Sequence, residues 1–469
     1  MSPHHSLRHF KKGISLTTQW TGKEHKEMEK VFLGLTANAT DPRVLRAVRG
    51  LLDFTYYAHF RVHSDESLSL MDTAWSNFHA NKEIFETLGI REHFNISKIT
   101  KLKHYTDSIR SRGVTGSFNT EHTERLHIDF AKSSYRASNH KDYIPEMIKW
   151  LERQEAVRKF ASYLEWAVPG YEAEFTALES ATSDLSLNSP EANSTSDDTD
   201  DIDTLDVDDI QSHRLSKKPA FRNIPITQLS QDYHAPDLLF RVNDFFRDNS
   251  IPLLRELTST SPLDVYKLAS LTLPAIPEIS STPVLDKFRA VKGEHRKETP
   301  NGLKPAKAPC FDTVLIHIGE GPVDSITTLR AARLRLIFRV PDTHDSTSTP
   351  LAYVEWYTPF TRFSTDLGMF EISPSTRHHR RHSQVVKLSH VIRSCHLIPV
   401  FGAKQVRATW VSEYVLDQAS NFYLNPYLRH HDFFLLRYRP DLEHFRKQEQ
   451  LRRARIRKLG RAGRFTDNI

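Results

Sequence analysis

Four ionisable side chains in one short segment, residues 120–138, could take part in metal chemistry. They are Glu121, Glu124, His127 and Asp129. On a helix, Glu124 and His127 are neighbours on one face, and Glu121 precedes Glu124 at the same spacing. Two acids and a histidine on one face could hold a divalent cation. The alternative is a surface helix with acids in its first turn, as the helix dipole favours, and the spacing alone favours this alternative.

A run of basic residues, RHHRRH at 377–382, could contact phosphate groups. Arg377, Arg380 and Arg381 are interleaved there with histidines. A structural zinc site needs spaced ligands, so we interpret the run as the tip of a hairpin between two strands. Arginine and histidine both donate hydrogen bonds to anions, which makes phosphate the expected ligand.

The C-terminal tail is a second basic cluster. Residues 446–464 contain nine Lys or Arg and one acid, Glu449. Such a run can be a nuclear targeting signal, a nucleic-acid clamp or a solvated tail, and we predict that it is helical from Pro440 to Gly460. The tail residues that we assign to nucleic acid are Arg446, Lys447, Arg452, Arg453, Arg455, Arg457, Lys458 and Arg461.

Several other chemical motifs are missing from the sequence. The chain has 16 glycines in 469 residues, and GEG at 319–321 lacks the spacing of a nucleotide-binding loop. No GxSxG nucleophile motif occurs. The two cysteines, Cys310 and Cys395, are too few for a disulfide scaffold or a cysteine-based zinc site. We therefore expect no resident metal or cofactor.

Local patterns indicate an α+β protein with a helical N-terminal part. Thr21 with Glu24 fits a capping box, and Asp41 followed by Pro42 fits a second helix start. Apolar residues recur at helical spacing from there to about Trp166. From 311 to 401 the period changes to two, which is typical of short strands.

A disordered acidic linker is predicted between the helical and the strand-rich parts. Eight Asp lie between 197 and 209, and such a run cannot bury enough apolar surface to offset the entropy of ordering. The alternative is an acidic segment that folds onto a basic surface. The predicted division is a helical region at 1–178, the linker at 179–220, one helix and a Pro-rich connector at 221–300, a small antiparallel β-barrel at 301–430 and a basic helical tail at 431–469.

Charge and hydropathy limit the classes of function. The net charge is +6, with 25 histidines in addition, and this balance suits contact with a polyanion. Charge alone fits a merely soluble basic protein equally well. Without an apolar leader or a long apolar run, we expect neither secretion nor a membrane span. We therefore expect a nuclear or cytoplasmic location.

Six long segments, in order along the chain, resemble one family of proteins. The first three are GISLTTQWTGKEHKEMEKVFLGLT at 13–36, VLRAVRGLLDFTYYAHFRVHSDESL at 44–68 and NTEHTERLHIDFAKSSYRASNHKDYIPEMIKWLERQE at 119–155. The others are CFDTVLIHIGEG at 310–321, LAYVEWYTPF at 351–360 and VIRSCHLIPVFG at 391–402. Together they resemble the C-terminal region of Plavaka transposases, which belong to CACTA-like DNA transposons of fungi.

The resemblance implies an ancestry in DNA transposition but an incomplete active site. Family members are expected to place three carboxylates on two divalent metal ions in an RNase H-like core. The first two acids lie upstream of the segment that residues 13–36 match, so they have no counterpart here. Glu124, in TERLHID, is the one position matched to the third acid. We therefore expect a DNA-binding transposase fragment with an incomplete active site, which would use Mg²⁺ only within a complete transposase. A third alternative is a metal-dependent strand-transferase whose missing acids come from another chain.

The strand-rich part carries a second resemblance. The order of VEWYTP, LGMFEIS and VVKLSHVIRSCHL is similar to bromo-adjacent homology (BAH) modules of chromatin proteins, in which a small barrel contacts proteins or nucleosomes. This implies an alternative function as a chromatin or protein-interaction module, with a groove lined by Tyr353, Trp356 and Tyr357. The alternative for Tyr353 and Tyr357 is packing in the core. The expected partner is DNA or chromatin.

Overall fold

The structure is a computed structural model, and it divides into two compact units. One unit comprises Met1–Val114 with Asp206–Ile469, and the other comprises Thr115–Leu205. The residues that the structure describes are 1–10, 13–14, 17, 20–118, 126–168, 171, 213–251, 256–294, 297–299, 302–304, 306–323, 325–341, 349–403, 406 and 410–451.

Helices dominate the first part of the chain and begin where the sequence predicts. The Glu24 amide donates to Thr21 Oγ1 at 3.4 Å and the Thr21 amide donates to Glu24 Oε2 at 3.1 Å, which confirms the capping box. Asp41 caps the next helix by accepting from the Arg43 amide at 2.8 Å. The α-helices in the described residues are α1 (Gly22–Thr36), α2 (Pro42–Ala58), α3 (Asp65–Asn81), α4 (Ile84–Thr87), α5 (Ser97–Leu102), α6 (Tyr105–Arg112), α7 (Ser133–Arg136), α8 (Tyr143–Ala167), α9 (Ile226–Asp232), α10 (Leu238–Asp248), α11 (Val415–Gln418) and α12 (His430–Phe433).

Strands fill most of the second part of the chain. The strands in the described residues are β1 (His213–Leu215), β2 (Phe221–Pro225), β3 (Pro262–Tyr266), β4 (Leu268–Leu273), β5 (Val284–Val291), β6 (Lys297–Thr299), β7 (Gly302–Lys304), β8 (Cys310–Phe311), β9 (Thr313–His317), β10 (Leu329–Arg339), β11 (Leu351–Trp356), β12 (Arg362–Ser364), β13 (Met369–Ile372), β14 (Thr376–Arg377), β15 (Arg380–Arg381), β16 (Ser383–Lys387), β17 (Val391–Cys395), β18 (Leu397–Pro399) and β19 (Phe422–Leu424). The predicted change from helix to strand is therefore confirmed.

The long strand β10 organises the largest sheet. The antiparallel order is β16–β11–β10–β3–β2, and β9 pairs with both β10 and β17. A second sheet has the order β1–β4–β5–β8 and a third has β12–β13–β19–β18. Phe288 of β5 and Phe338 of β10 are fully buried in one shared core, together with Val242 of α10.

No closed barrel is found among the described strands, although a small barrel was expected. One edge of β10 is divided between two partners. Its residues 329–333 pair with β9, whereas Ile337, Phe338 and Arg339 pair with β3. The sheet therefore branches into two directions at this edge instead of curling into one ring.

The prediction of a Pro-rich connector at 221–300 is wrong apart from the helix α10. This stretch contains β2 to β6, and its prolines lie where strands tolerate them. Pro262 is the first residue of β3, Pro274 follows β4 and Pro283 precedes β5. The last residues of the predicted linker also form a strand, β1, which pairs with β4. The acidic run at 197–209 lies outside the described residues.

The N-terminal helices and the C-terminal strands belong to one unit, which differs from the predicted division of the chain. Asn425 Nδ2 donates to the Lys30 carbonyl of α1 at 2.9 Å. Asp53 of α2 accepts from Tyr427 Oη at 2.7 Å and from Arg437 Nη2 at 2.8 Å. Buried polar groups need such partners, so these contacts tie α1 and α2 to residues almost four hundred positions away.

The second unit is helical in its described part. A π-helical turn at His127–Lys132 leads into α7, and α8 follows with 25 residues. The Asn139 amide donates to Glu146 Oε2 at 2.6 Å, which ties the loop before α8 to its first turn.

Gly50 allows α2 and α3 to approach closely. A Cβ atom at Gly50 would lie 2.7 Å from the Phe78 nitrogen and 2.8 Å from the Ala74 carbonyl oxygen. We expect Gly50→Ala to lower the free energy of unfolding by about 1–3 kcal/mol, because the two backbones must separate. Gly22→Ala in α1 is the control, since nothing lies within 4 Å of that position. Urea unfolding measures the stability of the two variants. Equal stability of Gly50→Ala and Gly22→Ala would contradict the close approach of α2 and α3.

The first residues of the chain pack against β17 and β18 through buried histidines. Ser2 Oγ donates to the Leu397 carbonyl at 2.5 Å, and His4 Nε2 lies 3.1 Å from Ser394 Oγ. His396 Nε2 lies 3.1 Å from the Ser2 carbonyl oxygen. Burial lowers the pKa of His396 from 6.5 to about 4, so the imidazole stays neutral at physiological pH.

We expect the free energy of unfolding to fall as the pH falls from about 6.5 to about 4. The unfolded chain binds protons on histidine in this range, whereas His396, with a pKa of about 4, and His430, with a pKa of about 3, stay neutral in the fold. Each unit by which a pKa differs between the folded and the unfolded chain changes the free energy of unfolding by about 1.4 kcal/mol. Asp441 acts in the opposite direction, because burial raises its pKa to about 6.

The variant His396→Gln tests this linkage by urea unfolding at several pH values. Glutamine keeps a hydrogen-bonding group but does not titrate, so stability should be lower at neutral pH and should decline less on acidification. An unchanged pH dependence would contradict the assignment of His396.

Candidate nucleic-acid interface

The basic run at 377–382 begins with the hairpin that the sequence predicts. Arg377 of β14 pairs with Arg380 of β15, and His378 and His379 form the turn between them. The φ angles of the two histidines are +49° and +62°, as in the type I′ turn that suits a two-residue hairpin. This conformation costs about 1–2 kcal/mol for a residue with a Cβ atom, and such outliers cluster at functional sites.

The hairpin presents three uncompensated positive charges. Arg377, Arg380 and Arg381 are all exposed. Within the part of the chain that the structure describes, none of the three has an ion-pair or side-chain hydrogen-bond partner. Their guanidinium groups are therefore available to an anionic ligand.

Arg330 of β10 adds a fourth cation beside the base of the hairpin. Its Nε donates to the Tyr357 carbonyl at 2.7 Å and its Nη2 donates to Ser375 Oγ at 3.1 Å. The guanidinium carbon lies 5.2 Å from the centre of the Trp356 ring. Burial first, and then the charge of Arg377, lower the pKa of Arg330. This side chain is held in place by neutral groups rather than by a carboxylate.

His382, the last residue of the basic run, lies inside this cluster. It is buried, and its Nδ1 lies 3.4 Å from Ser375 Oγ. Burial lowers its pKa to about 4, and the positive charges of Arg377, Arg330 and Arg241 act in the same direction. The imidazole is therefore neutral at physiological pH, and its surroundings favour an anion over another cation.

A recess of about 440 Å³ lies between the hairpin and the C-terminal turn of α10. Arg330 and Arg377 line it, and so do Arg241, Asp244 and Asp248 of α10. Asp244 pairs with Arg247 and lies 3.7 Å from Arg241 Nη1. The recess thus combines three arginines with two carboxylates, and one of these carboxylates is already neutralised. Its remaining lining residues include Phe245, Asn249, Ile318, Trp356, His382, Ser383, Gln384 and Val385.

The three aromatic residues expected to line a groove are buried instead. Tyr353, Trp356 and Tyr357 are 1%, 3% and 3% exposed. Tyr353 donates from its hydroxyl to Asp237 at the start of α10, and Trp356 Nε1 donates to Gln384 Oε1 at 3.0 Å. Tyr353 and Tyr357 therefore pack in the core, as their alternative interpretation has it, whereas an edge of Trp356 reaches the recess.

The C-terminal tail is described only in its first part. The chain is helical from 439 to 451. Arg446 Nη2 lies 3.8 Å from Glu66 Oε1 of α3, and Lys447 is exposed. The tail positions that lie outside the described residues are Arg452, Arg453, Arg455, Arg457, Lys458 and Arg461.

The candidate metal-binding face is mostly outside the described residues. Glu121 and Glu124 fall there, and His127 is exposed on the π-helical turn. Among the residues that the structure does describe, no group of three His, Cys, Asp or Glu side chains could hold a metal ion. The match of Glu124 to a third catalytic acid stays a prediction.

Neither Arg330 nor the recess is predictable from the local sequence. Arg330 is remote in sequence from 377–382, and β-pairing of β10 with β11 brings the two regions together through Trp356. The one local signal is the density of arginines along β10, at Arg330, Arg333, Arg335 and Arg339.

Comparisons with known proteins do not identify the chain. No protein-family model, no curated protein and no solved structure matches it. Among the described residues, no helix is long and apolar enough to cross a membrane.

We expect Arg377→Gln to raise the pKa of His382, because it removes the positive charge that most disfavours the imidazolium. Titration of the imidazole nitrogens by NMR measures this pKa. Arg112→Gln, at an exposed position in α6, is the matched control and should leave His382 unchanged. A pKa that stays at its original value in Arg377→Gln would mean that burial alone sets it.

Proposed function

We propose that this chain binds DNA through the β14–β15 hairpin. The observation that carries the proposal is the set of three exposed arginines, Arg377, Arg380 and Arg381, without partners among the described residues. Arginine matches the geometry of phosphate oxygens, and a two-stranded hairpin is narrow enough to follow a groove or a backbone.

The strained turn supports a binding role for the hairpin. Asn-Gly or Gly-Gly would form the turn at lower cost, whereas His378 and His379 add two further groups that donate to anions once protonated. A phosphate backbone supplies one negative charge per about 1.7 Å of duplex. Several of these side chains can therefore be neutralised by one stretch of DNA.

The resemblance to Plavaka transposases supports DNA as the polyanion. It matches one carboxylate, Glu124, to a site that needs three in that family. The proposal includes a transposon origin, a nuclear location and a contribution of the tail from Arg446 onwards to DNA binding.

A chromatin-contacting module similar to the BAH family is the second candidate. The pairing of β11, from VEWYTP, with β16, from VVKLSHVIRSCHL, supports it, whereas β13, from LGMFEIS, lies in another sheet. The preferred ligand of such a module would be a protein such as a basic histone tail. The charges of Arg377, Arg380 and Arg381 would repel such a tail, so DNA is the stronger candidate.

The triple variant Arg377→Gln/Arg380→Gln/Arg381→Gln tests the hairpin. We expect weaker binding to duplex DNA and a shallower dependence on salt, with a log–log slope that falls by about 0.9 for each phosphate that the variant no longer neutralises. Fluorescence anisotropy between about 50 and about 200 mM salt measures both.

The control variant, Arg112→Gln/Arg136→Gln/Arg153→Gln, removes the same charge from exposed positions elsewhere. It should retain the slope of the unmodified chain. If both triple variants lose affinity equally, binding follows net charge and the hairpin is not the site. If the unmodified chain does not bind duplex DNA at low salt, the proposed function is wrong.

A further inference from the structure

The recess beside the hairpin differs from the hairpin in the shape of ligand that it admits. Arg380 and Arg381 of the hairpin lie on an open surface, whereas the recess, which Arg377 also lines, is a partly enclosed space of about 440 Å³. That volume is within the range of small-molecule sites. A continuous duplex backbone cannot enter such a space, but a terminal group or a single nucleotide can.

The cationic end of the recess is preorganised. Two hydrogen bonds, to the Tyr357 carbonyl and to Ser375 Oγ, hold Arg330 against the Trp356 ring. Arginine has five N–H groups, so these bonds leave donors on the same guanidinium for a ligand. Arg377 also lines the recess, and two guanidinium groups suit the two negative charges of a phosphomonoester.

The α10 side of the recess carries hydrogen-bond acceptors. Asp248 offers carboxylate oxygens, Asn249 adds an amide, and Asp244 is shared with Arg241 and Arg247. These groups accept hydrogen bonds from hydroxyl and amino groups. A ligand that fits both ends therefore has a phosphate at one end and hydrogen-bond donors at the other, as a terminal nucleotide does.

From this geometry we infer that the recess binds the phosphomonoester of a nucleotide, with the phosphate between Arg330 and Arg377 and the sugar or base towards Asp244 and Asp248. The inference rests on the proposed function, because the nucleotide is placed at the 5′ end of a DNA strand that the hairpin holds. A free mononucleotide offers the same chemistry, and the experiment separates the two sources.

Binding at this position would also change the state of His382. Three arginines and burial keep its imidazole neutral. A phosphate between two of these arginines offsets their charge, so the bound state should hold a proton on His382 more strongly. This change is a readout that a purely structural role of Arg330 would not produce.

The experiment compares a 5′-phosphorylated single strand with the 5′-hydroxyl strand of the same sequence, both labelled at the 3′ end, on the full chain. We expect at least about tenfold tighter binding of the phosphorylated strand, as for charge-assisted hydrogen bonds, and a rise in the pKa of His382 on saturation. Thymidine 5′-monophosphate is the second ligand, and its competition with the strand tests whether a free nucleotide suffices.

Two variants locate the effect. Arg330→Met removes the charge, and Ile318→Trp fills the recess while every charge remains. Both should abolish the preference for the phosphorylated strand. Ile318→Trp should leave duplex binding through the hairpin intact, whereas Arg330→Met should also weaken duplex binding, because Arg330 is one of the cations beside the hairpin. Since Ile318 is 38% exposed at the rim, the larger side chain can be accommodated without repacking the core.

The outcomes separate this inference from the proposed function. Equal affinity for the two strands, with duplex binding intact, overturns the recess as a phosphate site and leaves the hairpin standing. Binding of thymidine monophosphate that depends on Arg330, without any binding of strands or duplex, supports the recess and overturns the DNA function. A phosphate preference that survives in both variants also overturns the inference, because the phosphate then binds elsewhere.

Discussion

The arrangement of the larger unit depends on the mutual neutralisation of arginines and aspartates that are buried together. Asp286 of β5 is fully buried and accepts from the Ser394 amide at 2.6 Å and from Arg429 Nη1 at 2.7 Å. Arg429 also binds Asp432 at 2.7 Å, and Arg393 lies 3.3 Å from the same carboxylate. Burial opposes ionisation of Asp286, but Arg429 and Ser394 outweigh it and hold its pKa below the ordinary value. Removing one partner from such a network typically costs about 3–5 kcal/mol, so β5, β17 and α12 must stay together.

Pairing with a carboxylate also decides which arginines of β10 remain available to an anionic ligand. Arg333 and Arg335 are buried, and both form ion pairs with Asp417. Arg335 Nη2 lies 2.7 Å from Asp417 Oδ1. Glu355 of β11 also accepts from Arg335 Nε at 3.0 Å. Burial opposes ionisation of Asp417, yet the two arginines outweigh it and lower its pKa. Arg330 lies on the same strand, but it donates to a carbonyl and a hydroxyl, and neither of these groups cancels its charge.

Features that depend on neighbouring residues were predictable from the sequence, and features that depend on distant partners were not. The capping box at Thr21, the strands after 311 and the hairpin at 377–382 are each specified within a few residues. By contrast, the burial of Tyr353 depends on Asp237, which precedes it by 116 positions. Likewise, Arg333 is buried in β10, and the acid that neutralises it, Asp417, comes from α11. Sequence periodicity detects the strand, but it cannot detect the acid that neutralises a buried arginine.

Net charge is therefore a poor guide to where this protein would bind an anion. A value of +6 sums arginines that are neutralised inside the fold and arginines that are not, although only the second kind attracts a ligand. Burial lowers the pKa of histidines in several parts of the fold, His396 among them, so the pairing of each arginine is the feature that distinguishes the two kinds. The exposed guanidinium groups of Arg377, Arg380 and Arg381 have no carboxylate partner among the described residues. Positive charge is therefore left over at the hairpin, and an anion would be stabilised there.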